Sequence, residues 1–385
     1  MPRPTLPILS LCLGLSAALL WPALAPQAQA LETRAREAFL IDVTTGTVLL
    51  EKDADVSMPP ASMSKIMTAY LVFGALKEGR ISLDDKLPVS EKAWRKGGSK
   101  MFVEVGSEVS VEDLLRGVIV QSGNDACIVL AEALAGSEEA FAEQMTRKAR
   151  EIGMEGSTFT NSTGWPDPNH RMTARDLAIL AERMVQDFPD FYHYYSEREF
   201  TYNGIRQGNR NPLLYKNLGA DGLKTGHTEE AGYGLTASAE RDGRRLVLVI
   251  NGLESIKARS EEAERLIGWG FREFATYDLF QPNEQVEAAP VWQGSADAVP
   301  LVFPEGLKVT LSRQARREMT VKVAYTSPVP APIEAGQEIG RLVIETGAGE
   351  PHRFPLVAGA AVERLGPIGR LFSSVKFLLL GPQTQ

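Results

Sequence analysis

The amino-acid sequence predicts an α+β fold, an antiparallel sheet flanked by a helical cluster, followed by a small all-β domain and an amphipathic C-terminal helix. Three observations carry this expectation. Strand-patterned runs stand at both ends of segment 31–278 with helix-patterned runs between them, so the sheet is assembled from both ends around a helical insert. From about Gln281 the texture changes to short β-rich runs separated by Pro and Gly, with no helical pattern longer than two turns. Over 364–380 apolar residues return at helical spacing.

Taken in order, residues 1–30 read as a secretory signal: Arg3, an apolar run over 6–20, and a small-x-small site at Ala28-Gln29-Ala30. Residues 38–42 and 47–51, joined across Thr44-Thr45-Gly46, read as a β-hairpin. Pro59 and Pro60 break the chain before a helix through Met67, Leu71, Phe73 and Leu76, which Gly79 ends. Ser110-Val111-Glu112-Asp113 resembles a capping box, opening a helix through Leu114, Leu115 and Val118 that stops at Gln121-Ser122-Gly123-Asn124. Further helices are expected from Asp125 to Leu134, after Ser137 with Phe141 and Met145 on one face, and after Thr173 with Leu177, Leu180 and Met184. A polar segment over 202–211 precedes strands over 232–239 and 246–251, turned at Asp242-Gly243. A helix from Glu261 to about Phe274 closes the first domain. The β-rich domain is expected over 279–363, with strands at 299–303, 307–311, 319–324, 339–344 and 352–357. In the tail, 364–385, Ile368, Leu371, Phe372, Val375 and Leu379 share an arc, the pattern of a helix lying in a membrane interface.

The formal net charge is −8, and loss of residues 1–30, which hold Arg3 and no acid, makes it −9. Such a balance offers nucleic acid no electrostatic footprint. Of the two cysteines only Cys127 lies beyond the signal, so an internal disulfide is impossible; at a turn past Asn124 it reads as core. His170, His193, His227 and His352 are scattered without metal-ligand spacing, so neither a metal nor a cofactor is expected. Asp42, Asp125 and Asp221 read as turn or cap residues, and Asn161-Ser162-Thr163 as a turn.

The chemistry gathers at Pro60-Ala61-Ser62-Met63-Ser64-Lys65. Ser62 and Lys65, three apart, project from one face of a helix. A serine hydroxyl becomes a nucleophile when a base lies within hydrogen-bond reach, and a lysine serves when burial and nearby positive charge lower its pKa. Ser-x-x-Lys alone is a weak signal, and the chain holds another at Ser373-Ser374-Val375-Lys376. The first, however, is followed in order by Ser122-Gly123-Asn124 at a break between helices and by Lys224-Thr225-Gly226 leading into a strand.

On these motifs, together with Gln121-Ser122-Gly123-Asn124-Asp125-Ala126-Cys127, Asn209-Arg210-Asn211 and Asp221-Gly222-Leu223-Lys224-Thr225-Gly226-His227-Thr228, the chain resembles the low-molecular-mass penicillin-binding proteins that act as D-alanyl-D-alanine carboxypeptidases. The resemblance runs from about Ala38 to the tail and implies a β-lactamase/transpeptidase-like first domain. It implies that Ser62 attacks the carbonyl between two D-alanines of a peptidoglycan pentapeptide stem with Lys65 as base. Ser122 relays or orients the proton, and Asn124 holds Lys65 and the substrate amide. It further implies that Lys224, Thr225 and Arg210 receive the terminal carboxylate, that Gly226 and His227 join them in binding the substrate, and that the backbone N–H groups of Ser62 and His227 form the oxyanion hole. β-Lactams, as mimics of D-Ala-D-Ala, are implied to acylate Ser62. A periplasmic enzyme held peripherally at the inner membrane by its C-terminal helix follows from the same likeness. Two alternatives are a β-lactamase of the same fold and a non-catalytic cell-wall-binding protein. The β-rich domain and the lack of a recognisable Glu-containing loop for a deacylating water count against the first.

Overall fold

In the computed structural model, which describes residues 31–347, 350–371 and 375, two modules follow one another along the chain. The signal read over 1–30 and the tail at 372–374 and 376–385, including most of the second Ser-x-x-Lys, lie outside the described residues. Strands β1 (Glu37–Asp42) and β2 (Thr47–Lys52) form the expected hairpin. The chain then runs through helix α1 (Lys65–Lys77), α2 (Asn124–Ala135), α3 (Glu138–Glu151) and α4 (Ala174–Asp187) before returning as β3 (Ala220–Thr228), β4 (Gly232–Arg241) and β5 (Arg244–Leu253). The sheet order is β2-β1-β5-β4-β3 with every neighbour antiparallel, so the first strand pairs with the last and β3 is an edge.

Alternation along β5 explains the layers. Val247 and Val249 join the helical cluster, while Leu246 meets Gly270 of helix α5 (Ile256–Glu273) on the opposite face. A Cβ at Gly270 would stand 2.8 Å from the Leu246 side chain, so glycine sets how closely α5 approaches. α1 is apolar almost all round and is accordingly the buried centre of the cluster. Its Tyr70 meets Phe188 edge-on at 4.8 Å and its Phe73 stacks on Phe191 at 5.3 Å; burying each such ring contributes about 1.5–3 kcal/mol.

Side-chain caps punctuate the helices as the sequence implies: Ser110 accepts from Asp113 N, Ser137 from Ala140 N and Thr173 from Asp176 N. Four expectations need correction. The helix read from Glu261 begins at Ile256, because Ser255 caps it by accepting from Ala258 N. It ends one residue before Phe274, which opens a strand, Phe274–Phe280, paired with Leu307–Ser312; the domain boundary expected at 278/279 therefore falls inside a strand of the second module. The polar segment 202–211 contains half of a hairpin, Glu199–Tyr202 with Ile205–Gly208, turned through Asn203 and Gly204, both at positive φ. Gln285–Trp292, unassigned in the sequence and interrupted by Glu287 and Pro290, is a strand of the six-stranded sheet of the second module.

That module otherwise follows its pattern, as Thr320–Tyr325, Glu338–Glu345, His352–Ala358 and Ala298–Val302 line up in one sheet. Buried Asp42, at the end of β1, knots the two modules. It caps its own turn through Thr44 N and accepts from Arg244 Nε (2.6 Å) and from the hydroxyls of Thr276 (3.3 Å) and Thr310 (2.9 Å). Among the described residues no helix is long and apolar enough to cross a membrane. One turn at 367–371 exposes Ile368 and Leu371.

Candidate active site

Ser62 lies in a tight 3₁₀ turn, Ala61–Ser64, that feeds directly into α1. The turn is set against the sheet by small residues. A Cβ on Gly226 of β3 would come within 2.8 Å of the Pro60 carbonyl oxygen, and one on Gly234 of β4 within 2.7 Å of the Met63 methyl. From the loop side, a Cβ on Gly164 would lie 1.9 Å from the Ala61 carbonyl oxygen. Ala61 itself is left-handed, φ +48°. Strained non-glycine backbone persists only where its surroundings over-determine it, and the residue before Ser62 is such a place.

Lys65 is the first residue of α1 and is 1% exposed. Its Nζ lies 2.8 Å from Ser62 Oγ and donates to the Thr163 carbonyl at 2.6 Å. Both partners are neutral. Burial drives the Lys65 pKa down to about 8, and the charges of Arg210 and Lys96 push in the same direction. The Cys127 thiol, pushed up to about 12 by burial, is uncharged where Lys65 titrates. Asp125 faces elsewhere: its carboxylate accepts from the N–H groups of Met101, Phe102, Val103 and Ala126. It is a tether for the 101–103 segment, in line with its reading as a cap residue.

Ser122 closes a single turn of π-helix, Gly117–Gln121, and is left-handed at φ +69°. Its hydroxyl is buried with no hydrogen-bond partner among the described residues. A π-turn, backbone strain and an unsatisfied hydroxyl thus coincide on one residue, three features that cluster at functional sites. Asn124, next on α2, donates from Nδ2 to the Gly97 carbonyl (2.8 Å), and its N–H donates to Ser99 O (2.8 Å). Its amide thus fastens the 97–99 segment; Thr163 and Ser62, not Asn124, are the groups bonded to the Lys65 amine.

Lys224 lies on the edge strand β3, 3% exposed, with Nζ 3.3 Å from the Thr225 carbonyl. Burial first, then repulsion from Lys65 and Arg210, hold its pKa well below the usual lysine value. Thr225 and Gly226 are buried beside it, and His227 is exposed with its ring stacked on Tyr233 at 3.8 Å. Arg210 is placed by its neighbours: Asn211 donates to Gly222 O (2.7 Å) beside β3, and the Arg210 guanidinium donates to Ser99 Oγ (2.7 Å). Arg210 and Arg259, whose charges act on Lys224, together with Lys224 give the site a positive potential suited to a carboxylate.

Two participants escaped the sequence reading. The Thr163 carbonyl is backbone, so no side chain announces it; the one signal was the Asn161-Ser162-Thr163-Gly164 turn. It forms as an Asx turn, with Asn161 Oδ1 accepting from Thr163 N (3.1 Å) and Trp165 N (3.0 Å). Trp165 stands at the mouth, its ring under the Lys96 ammonium at 4.5 Å and against Gly98.

The profile of the family described as D-alanyl-D-alanine carboxypeptidase matches residues 24–255, and that described as penicillin-binding protein 5, C-terminal domain, matches 274–364. D-alanyl-D-alanine carboxypeptidase DacC of Escherichia coli K12 is 40% identical over 349 residues, 89% of this chain and 87% of that protein. Penicillin-binding protein 5 of Haemophilus influenzae superposes with a TM-score of 0.77 at 36% identity, covering 86% of this chain and 98% of that one. The carboxypeptidase DacD of Francisella tularensis gives 0.79 at 30% identity, covering 88% and 96%.

Proposed function

Since the chain belongs to the D-alanyl-D-alanine carboxypeptidase family and is a serine-type enzyme of that class, we propose that Ser62 is its nucleophile, Lys65 its base, and the D-Ala-D-Ala end of a peptidoglycan pentapeptide its substrate. The observation that carries this is a buried amine, its pKa lowered to about 8, within 2.8 Å of a serine hydroxyl and free of any carboxylate partner. Neutral Lys65 takes the Ser62 proton as Oγ attacks the penultimate carbonyl. The backbone N–H groups of Ser62 and His227 receive the developing oxyanion, each donor worth roughly 3–4 kcal/mol. The terminal carboxylate rests against Lys224, Thr225 and Arg210, and the unpaired edge of β3 offers the extended substrate a strand to lie beside. Ser122, its hydroxyl unspent, takes the proton from the Lys65 ammonium as it gives its own to the departing D-alanine amine, Asn124 orders the 97–99 wall that faces the substrate amide, and water then releases the acyl group. β-Lactams acylate the same hydroxyl. The decisive experiment is mass spectrometry of a D-Ala-D-Ala pentapeptide after incubation, with loss of one alanine expected. Rapid turnover of penicillin with an intact pentapeptide would mean a β-lactamase instead.

The sign of the pH dependence follows from the base. An ammonium cannot accept a proton, so acylation by a labelled penicillin is expected to rise about tenfold per pH unit through the acid range and level off above about 8. A flat profile would remove Lys65 from this role.

The same reading has the chain exported by residues 1–30, with a catalytic module, the β-rich module, and the tail over 364–385 lying on the inner membrane from its periplasmic side. The exposure of the apolar Ile368 (75%), Leu371 (68%) and Val375 (46%) supports it. Deleting residues after Leu365 should move the protein from the membrane to the soluble fraction with its activity unchanged. Retention at the membrane would point to an uncleaved signal.

A further inference from the structure

The carbonyl that holds Lys65 is itself held by a buried acid. Glu138, the first residue of α3, keeps its side chain 7% exposed, and Oε1 accepts from both Ser162 N (3.2 Å) and Ser162 Oγ (2.9 Å). Ser162 O accepts in turn from Thr68 Oγ1 at 2.6 Å, one helical turn beyond Lys65 on α1. The next residue is Thr163, whose carbonyl receives the Lys65 amine. The Asx turn fixes the internal shape of this loop, and Gly164 sets how closely it packs on the Ala61–Ser64 turn. Glu138 and Thr68 hold Ser162 by side-chain hydrogen bonds from two different helices.

A neutral primary amine has two N–H bonds and one lone pair. Directing one N–H into a fixed acceptor turns the lone pair toward a fixed direction, which here is Ser62 Oγ. We propose that Glu138 is a positioning residue for catalysis: by anchoring Ser162 it holds the Thr163 carbonyl where the Lys65 amine must point for its lone pair to meet the Ser62 hydroxyl. This rests on Lys65 being the base. A buried carboxylate is a poor device for stability, since a well-packed apolar residue of similar volume often serves as well or better. Glu138 is paired with Lys92 (3.2 Å) in the first turn of α3, and both of its bonds to the loop land on the residue next to Thr163.

The test uses the full chain and a fluorescent penicillin, reading the acylation rate constant separately from the amplitude. Amplitude reports how much protein is folded; the rate constant reports the geometry of the folded fraction. Glu138→Leu keeps the bulk and removes the acceptor, and should lower the rate constant tenfold to a hundredfold. Glu138→Gln retains an oxygen for Ser162 and should rescue the rate to within about threefold of wild type. An E138L rate constant equal to wild type, whatever its amplitude, overturns the proposal, as does an E138Q rate as low as that of E138L. Should E138L give no folded protein, Ser162→Ala, which deletes one of the two bonds, should slow acylation about threefold or more, and an unchanged rate is equally fatal. A wild-type chain that takes no label at Ser62 would instead sink the active-site reading itself.

Discussion

Ser62→Ala is expected to abolish release of D-alanine from the pentapeptide and to leave the protein unlabelled by penicillin, with its melting curve intact. Removing a nucleophile from a concerted constellation costs roughly 10⁶ in turnover, which here places activity at background. The fold should tolerate the change, because Ser62 Oγ is only partly buried and, among the described residues, bonds only to Lys65. Lys65→Met should slow acylation by about 10²–10⁴, the usual contribution of a positioned base. The pair of results separates the competing readings: a wall-binding protein without catalysis would keep all its measurable properties in both variants. Undiminished alanine release from the Ser62 variant would remove that serine from the mechanism.

The second large effect is expected at a residue with no functional group. Gly164 has φ +75°, and a Cβ there would stand 1.9 Å from the Ala61 carbonyl oxygen and 2.6 Å from Ser64 Oγ. Gly164→Ala must therefore push the loop off the nucleophile turn, taking the Thr163 carbonyl from Lys65, or displace Ala61 and with it Ser62. Acylation should fall by about 10² or more, the order reached when a catalytic group is misplaced by 1 Å. Gly336→Ala is the matched control: φ is +82° but nothing lies within 4 Å, so only the backbone cost of about 1–2 kcal/mol applies and activity should remain. Equal acylation rates in the two variants would show that the packing of the loop on the Ser62 turn is immaterial.

What was legible in the chain was what side chains announce. The hairpin at β1 and β2, the caps at Ser110, Ser137 and Thr173, and the Asp242-Gly243 turn each rest on a local rule, and each element forms. The motif residues Ser62, Ser122 and Lys224 were visible because their spacing is set by elements the sequence also punctuates. Where reading failed, a signal was either overlooked or absent. Ser255 and Asn203-Gly204 were available as a cap and a turn, and were masked by polar surroundings. Thr163 was signalled only by the turn it sits in, because its contribution is a carbonyl oxygen that every residue owns. Glu138 looked like an ordinary acid in the first turn of a helix, and only its burial against Ser162 distinguishes it from Glu139, its exposed neighbour.

The junction between the modules has a mechanical consequence. α5 ends at Glu273 and the next strand starts at Phe274, with no residue between them, and Asp42 ties β1 to Thr276 and Thr310 on the far side. A flexible tether would let the cutting end wander; this seam leaves it no slack. The β-rich module is then a fixed extension of the first sheet, and the distance from Ser62 to the far end of that module is a dimension of the folded chain, not an average over swinging states.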